Sequence, residues 1–380
     1  MANENLGAAR EAKFDEFYTQ YHDIEKEMNA YLDFDKDVFR DKIVLLPCDD
    51  PEWSNFTKYF AQNFERLGLK KLISTSYAPD SKPQQLDLQL TLFETASPKF
   101  DKVKARANGK IYTLTRDATG DKKINVDDLE WEYLKGDGDF RSPEVSALRN
   151  EADIIITNPP FSLFREFLKW IIEADKKLVI LGNKNAITYK EVFPLIKENK
   201  MWLGSTPMSV DLMFRVPESM QAQLVAAGKE GSAWRRIDGE VMGRSTSAWF
   251  TSLDHGRRHE PLELMTEDDN VRFNKKLKGL PYKKYDNYDA IEVPFTDAIP
   301  ADYAGMMGVP ISFLSKHNPD QFEIVGMAKR GAGDPALKSK VYTIADAPNY
   351  SDLNAGPVLV TPTGMINTYP RILIRHKGTA

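Results

Sequence analysis

ADIIITNPPFSLF (residues 152–164) decides the reading of this chain. An apolar run, Ile154-Ile155-Ile156, ends in Thr157 and Asn158, and two prolines then stand directly before Phe161. The run reads as a buried strand, and FSLFREFLKWIIEA after it reads as an amphipathic helix. Strand, polar turn, helix is the repeating unit of an α/β sheet, and in such sheets ligands bind at the carboxyl ends of the strands. Each proline fixes φ, lacks an N–H and keeps its predecessor extended. The Asn158 amide oxygen and the Pro159 carbonyl are therefore turned toward partners outside the turn, beside the flat ring of Phe161. Two acceptors next to an aromatic plate suit an exocyclic amino group on a planar heterocycle. Such an amine is a weak nucleophile because its lone pair is conjugated into the ring. Accepting both of its hydrogens favours a more pyramidal nitrogen and stabilises the positive charge that grows as it attacks. Stacking on Phe161 is worth about 1–3 kcal/mol, comparable to the few kcal/mol needed to extrude a base from a duplex. The bland alternative is a proline-ended strand with a core phenylalanine.

The flanking sequence extends the alternation in both directions. DKIVLLPCDDPEWSNFTKYFAQNFERLG reads as a strand at about 42–48, an acidic turn with Pro51, and a helix carrying Phe56, Tyr59, Phe60 and Phe64 on one face. KKLISTSY (70–77) is a second strand. Residues 79–127 interrupt the pattern and read as a β insertion, with a hairpin signal at Asn108-Gly109. LEWEYLKGDGDF, KKLVILGN, TYKEVFPLIKEN and later segments resume the alternation. Residues 1–38 read as a charged, helical lead-in. The expected fold is a doubly wound mixed α/β sheet, with a catalytic domain over 1–259 and a less regular module over 260–380.

Composition sets limits. With 380 residues, 42% hydrophobic and 28% charged, the chain is long enough for two domains or for one large domain with an appendage. Cys48 is the one cysteine, so no internal disulfide forms, which suits a reducing cytoplasm. No secretory signal or membrane span is apparent. The five histidines show no metal-ligand spacing, and no metal is expected. The net charge of −5 argues weakly against a polyanion, yet residues 256–260, 274–284 and 371–377 are locally basic.

Asn-Pro-Pro-Phe is the signature turn of S-adenosylmethionine-dependent amino-methyltransferases. Together with DEFYTQY, CDDP, LGLKKLI, GDGDFRS, TNPPFSLF, YDNYDAI and MGVPI, it makes the chain resemble the EcoRI-type adenine-N6 DNA methyltransferases across most of 14–325. The resemblance implies a class I, Rossmann-like methyltransferase that takes S-adenosylmethionine and flips an adenine of double-stranded DNA into the pocket of Asn158, Pro159, Pro160 and Phe161. It implies cofactor contacts from Tyr18 and Thr19, and from Asp49 or Asp50, either of which could instead cap the next helix. Ser76 stands where a ribose-binding acid is usual. Asp139 is expected on the cofactor's adenine amino group, with Phe140 against the ring. Target recognition is expected C-terminal, with Arg257, Arg258, Lys275, Lys276, Lys283 and Lys284 on phosphates and Asn287 and Tyr288 as candidates for base contacts. A cytoplasmic monomer, with a cognate restriction endonuclease as a separate chain, completes the expectation. The alternatives are a cytosine-N4 or RNA amino-methyltransferase and a catalytically silent DNA-binding subunit, against which Asn158–Phe161 and Asp139 speak. The family's GAATTC is a reasonable first site to test.

Overall fold

A computed structural model of the chain describes residues 18–47, 49, 54–78, 98–216, 218–329, 337 and 339–378. The chain divides into two compact units, 1–183 with 210–253, and 184–209 with 254–380.

The first unit is built on a mixed sheet. Its elements, in chain order, are β1 (Tyr18–Thr19), α1 (Tyr21–Phe34), β2 (Ile43–Leu46), α2 (Asn55–Gln62), β3 (Lys71–Ser76), β4 (Lys110–Leu114), β5 (Glu130–Tyr133), α3 (Pro143–Glu151), β6 (Ile154–Thr157), α4 (Phe164–Ile172), β7 (Lys177–Asn183), β8 (Leu212–Arg215), β9 (Trp234–Ile237), β10 (Glu240–Ser245) and β11 (Ser247–Thr251). Seven of these strands lie in one sheet in the order β5-β4-β3-β2-β6-β7-β11. The central four, β3, β2, β6 and β7, are parallel, with Val44 opposite Ile154 and Ile155 opposite Leu178. The flanking pairs are antiparallel. The doubly wound mixed sheet expected from the alternation is therefore present.

Strands β2 and β6 are almost continuously apolar, the pattern of strands buried on both faces of a parallel sheet, while β3 buries Ser74, Thr75 and Ser76 toward its carboxyl end. Ile154, Ile155 and Ile156 are at most 2% exposed. On α4, Phe164, Phe167, Leu168, Trp170 and Ile171 are buried at helical spacing. Phe164 packs where β7 has Gly182, and a Cβ there would collide with its ring. On α2, Phe56, Tyr59 and Phe60 are buried, joined by Phe64 just beyond it. Each fully buried side chain of this size contributes about 1.5–3 kcal/mol.

Three local readings change. The lead-in is helical over Tyr21–Phe34, but Tyr18 and Thr19 form a strand, pairing antiparallel with Arg215 and Phe214 of β8. The resulting small sheet runs β1-β8-β10-β9. Asn108-Gly109 is not a hairpin turn: β4 pairs with β3, distant in sequence, and with β5. Asn108 instead donates its side-chain amide to the carbonyls of Leu134 and Lys135 at 2.8 and 3.0 Å. Gly109 has no side chain because a Cβ there would sit 2.6 Å from the Ser76 carbonyl oxygen. Of the segment 79–127, residues 79–97 lie outside the described residues, and β4 is part of the main sheet.

In the second unit, α5 (Glu267–Phe273) precedes β12 (Lys283–Lys284), β13 (Ala290–Glu292), β14 (Met306–Pro310), β15 (Phe322–Ala328), β16 (Val358–Thr361), β17 (Gly364–Asn367) and β18 (Arg371–His376). Five strands form a sheet in the order β12-β13-β14-β18-β15, and β16 and β17 form a separate hairpin. Short strands broken by single 3₁₀ turns explain why the sequence pattern looks irregular here. A buried pair, Arg371 with Glu292 at 2.6 Å, ties β18 to β13, and the Tyr285 hydroxyl also donates to Glu292. Among the described residues, no helix is long and apolar enough to cross a membrane.

Candidate active site

Strand order reverses between β2 and β6: the chain passes from β2 to β3 on one side and later returns through β6 on the other. In open α/β sheets such a switch point is where ligands bind, outside the carboxyl ends of the two strands. The loop after β2 carries Asp49 and the loop after β6 carries Asn158.

Asp49 is buried and knits these loops together. Its carboxylate accepts from Ser54 Oγ at 2.7 Å and from Thr157 Oγ1 at 2.5 Å. Thr157 Oγ1 also lies 2.8 Å from the Pro47 carbonyl. The Asp49 carbonyl accepts from Thr57 at 2.9 Å and from the Ser74 hydroxyl. The cap of α2 is Ser54, whose Oγ accepts from Phe56 N at 3.1 Å, so Asp49 is not the capping residue. Asp50 lies outside the described residues. Ser54 and Thr157, which hold the Asp49 carboxylate, are not singled out by the sequence reading. Ser54 is legible as the polar residue before a helical apolar run. Thr157 is legible from its place between a buried strand and the turn.

Asn158 is half-buried, Pro159 buried, and Pro160 and Phe161 half-buried. Pro160 adopts φ −53° and ψ 122°, and its carbonyl accepts from Leu163 N at 2.9 Å, which starts the 3₁₀ turn Phe161–Leu163 ahead of α4. Among the described residues, no backbone hydrogen bond runs to the Pro159 carbonyl. Asn158 and Phe161 thus stand on a stiff corner between a fully buried strand and a packed helix.

Thr19 lies 4% exposed in β1, and its carbonyl accepts from Asn55 Nδ2 at 2.8 Å. Its Oγ1 is buried and has no hydrogen-bond partner among the described residues. A buried hydroxyl left this way is costly unless something outside the chain completes it. This observation fits a polar ligand end at Thr19. The Tyr18 side chain, the other contact expected here, lies outside what the structure describes. Ser76, at the end of β3, is buried, and its Oγ accepts from Lys110 N at 3.3 Å.

The turn 136–140 lies against that same strand end. Gly138 has φ +86°, and a Cβ on it would run into the Ser76 carbonyl. Both Asp139 oxygens are engaged by Arg141, Oδ1 by Nε at 2.9 Å and Oδ2 by Nη2 at 2.6 Å. The Arg141 hydrogen bonds hold the Asp139 carboxyl below its usual range, against a smaller opposing effect of burial. Arg141 also reaches Glu166 of α4 at 3.1 Å, so one guanidinium joins the 136–140 turn to the helix that follows Asn158–Phe161. The ring of Phe140 is 3% exposed and edge-on to Phe167 and Trp170, with centroids 5.1 and 5.6 Å away. It packs into the α4 interface, at the position expected to lie against the cofactor's adenine ring. The sequence reading passes over Arg141, although it stands directly after Phe140.

In the second unit, Lys275, Lys276, Lys283 and Lys284 are exposed. Lys276 pairs with Asp297 at 2.6 Å and Lys284 with Asp289 at 2.7 Å. Arg257 donates to the Ser205 carbonyl at 2.9 Å. Arg258 is buried, stacked 3.8 Å from the centre of the Trp202 ring and bonded to Asp254 and Asn199, an arrangement that braces the fold. Asn287 is also buried. Its amide donates to the Gly356 carbonyl at 2.9 Å and accepts from Val358 N at 2.8 Å, so its hydrogen-bonding groups hold the 356–358 backbone and do not face a base edge. Tyr288 is half-buried, and burial raises its hydroxyl pKa.

The chain was compared with known proteins. Residues 5–377 match the family model described as adenine-specific methyltransferase EcoRI. The Type II methyltransferase M.EcoRI of Escherichia coli is 43% identical over 329 residues, covering 86% of this chain and 90% of that protein. The Type II methyltransferase M.MpnI of Mycoplasma pneumoniae is 32% identical over 339 residues, covering 88% and 89%. No solved structure gives a significant match. With the Asn158–Phe161 corner at the switch point of a doubly wound sheet and a match over nearly its whole length, the chain belongs to the adenine-specific methyltransferase EcoRI family.

Proposed function

We propose that the chain methylates the N6 amino group of adenine at a specific short site in double-stranded DNA, with the target base flipped onto the Asn158–Phe161 corner. The observation that carries this reading is the corner itself: two prolines follow Asn158 directly at the carboxyl end of β6, beside the switch point, with Phe161 half-buried next to them. S-adenosylmethionine, when bound, supplies an electrophilic methyl on a sulfonium centre. Thr19, Asp49, Asp139 and the 136–140 turn are its proposed contacts, with Phe140 backing the turn from the α4 side and Ser76 supporting it from β3.

On this reading Asn158 Oδ1 and the Pro159 carbonyl accept the two amino hydrogens, and Phe161 holds the base plane. The amino lone pair forms the new N–C bond, the S–C bond pair leaves with sulfur, and the surplus proton passes to water. Positioning and charge stabilisation then supply the catalysis, with no strong base required. The residues from about 260 onward are proposed to read the target, with the exposed lysines on phosphates. The enzyme is proposed to work as a monomer, paired with a separate restriction endonuclease.

The test is to sequence modified bases in DNA from cells expressing the chain, beginning with GAATTC sites. N6-methyladenine confined to one short motif is expected. N4-methylcytosine, methylation confined to RNA, or no modification would each overturn the proposal.

A further inference from the structure

Between Arg272 and Lys284 the chain carries six cations and no carboxylate. Lys276 and Lys284 are paired with Asp297 and Asp289, while Arg272, Lys275, Lys278 and Lys283 have no ion pair among the described residues. Two large apolar side chains stand out of the same stretch, Phe273 at 68% exposure and Leu280 at 62%. One exposed apolar residue is ordinary on a protein surface. Two on one short basic segment, each held out by rigid backbone, are harder to dismiss.

The rigidity is visible in the hydrogen bonds. Phe273 ends α5, and the next residue, Asn274, is bonded through its backbone to Asn270 at 3.0 Å and through its side chain to the Asp297 carbonyl at 3.2 Å. Leu277 is buried and anchors the following turn. Leu280 N closes that turn on the Leu277 carbonyl at 3.0 Å, and the two central residues, Lys278 and Gly279, both have positive φ, 53° and 75°. Two such residues make a tight, mirror-image turn. Pro281 stiffens the exit. Burying Leu277 and projecting Leu280 from opposite ends of one turn leaves an apolar tip among unpaired cations.

A polyanion with an apolar interior is the partner that satisfies both features, and a DNA duplex presents phosphates outside and stacked bases within. Proteins that deform DNA insert apolar side chains of this kind between base steps while cations hold the flanking backbone. We propose that Phe273 and Leu280 are apolar wedges that enter a groove of the bound duplex and part neighbouring base steps, with Arg272, Lys275, Lys278 and Lys283 on the adjoining phosphates. This inference rests on the reading of the second unit as DNA-facing and adds the residues that deform the duplex.

The full chain is titrated, across a range of salt, with a duplex carrying the methylated site and a donor–acceptor dye pair at its ends. Phe273→Ser with Leu280→Ser should weaken binding about tenfold and reduce the dye-reported bend, leaving the salt slope unchanged. Phe273→Leu with Leu280→Met should keep both affinity and bend. Replacing Lys275, Lys278 and Lys283 by Gln should lower the salt slope by about 0.9 for each phosphate no longer neutralised. If the double-serine protein binds and bends like the unmodified chain while the glutamine protein shows the shallower slope, the wedge is wrong and the DNA-facing reading survives. If the glutamine protein keeps its slope, the duplex lies elsewhere and both fall. Weaker binding shared by the Leu/Met protein, with a lower melting temperature, assigns the two side chains to folding and also overturns the wedge.

Discussion

Arg141 shows how one side chain couples the proposed cofactor turn to the helix after the Asn158–Phe161 corner. Its bonds to Asp139 and Glu166 are partly exposed, so their worth is about 1 kcal/mol or less. The Asp139 carboxyl titrates below its usual range because of Arg141, and a lowered carboxyl stabilises the fold above its unfolded pKa. That stabilisation is lost as pH falls through the lowered folded value. Arg141→Gln should therefore lower the melting temperature slightly at neutral pH, with the difference closing at acid pH; a difference independent of pH would contradict the pairing. Phe161 offers a second residue-scale test. Its half-buried ring is proposed to hold the flipped base, so Phe161→Ala should diminish the fluorescence increase of 2-aminopurine placed at the target adenine. An undiminished signal would remove stacking from the account. The corner is legible in the sequence because proline acts locally: its constraint on φ needs no tertiary partner. The link from Arg141 to Glu166 and the bond from Thr157 to Asp49 are not, because those partners lie 25 and 108 residues away along the chain.

At the scale of elements, the site depends on three strand ends brought to one place. Asp49 and Thr157 bind the β2 loop to the end of β6, and Gly138 lets the 136–140 turn lie against the Ser76 carbonyl at the end of β3. Gly138→Ala would add a Cβ at positive φ and into that carbonyl. The expected cost is on the order of 3 kcal/mol, with weaker binding of S-adenosylmethionine. Denaturant unfolding and calorimetric titration would check the two effects, and an unaltered midpoint would show that the turn does not need its glycine. The parallel strands are readable as short apolar runs bounded by turn residues, and α4 from its helical periodicity. The Asn108-Gly109 hairpin signal misleads because Gly109 answers to a contact with Ser76 across the sheet, which local turn preference does not contain. The strand at Tyr18–Thr19 escapes notice for the same reason, since two residues carry no periodicity and β8 lies far along the chain.

For the whole molecule, the net charge of −5 conceals a strongly basic segment, so average charge is a poor guide to the partner. Charge alone also overstates individual residues. Arg258 and Asn287 read as candidates for DNA contact, yet each is buried and bonded within the second unit. Exposure, which decides between a phosphate contact and a structural brace, is a property of the folded chain. Family membership shows adenine-specific methylation; the chemistry proposed at the Asn158–Phe161 corner is the claim on which the account stands. Its most direct test is a single-turnover measurement of methyl transfer by Asn158→Ala, beside calorimetric titration with S-adenosylmethionine. The account expects a rate lower by about 10²–10³, as for removal of one preorganised charge-stabilising group, with cofactor affinity unchanged. An undiminished rate, or a fall in rate matched by an equal fall in cofactor affinity, would contradict it.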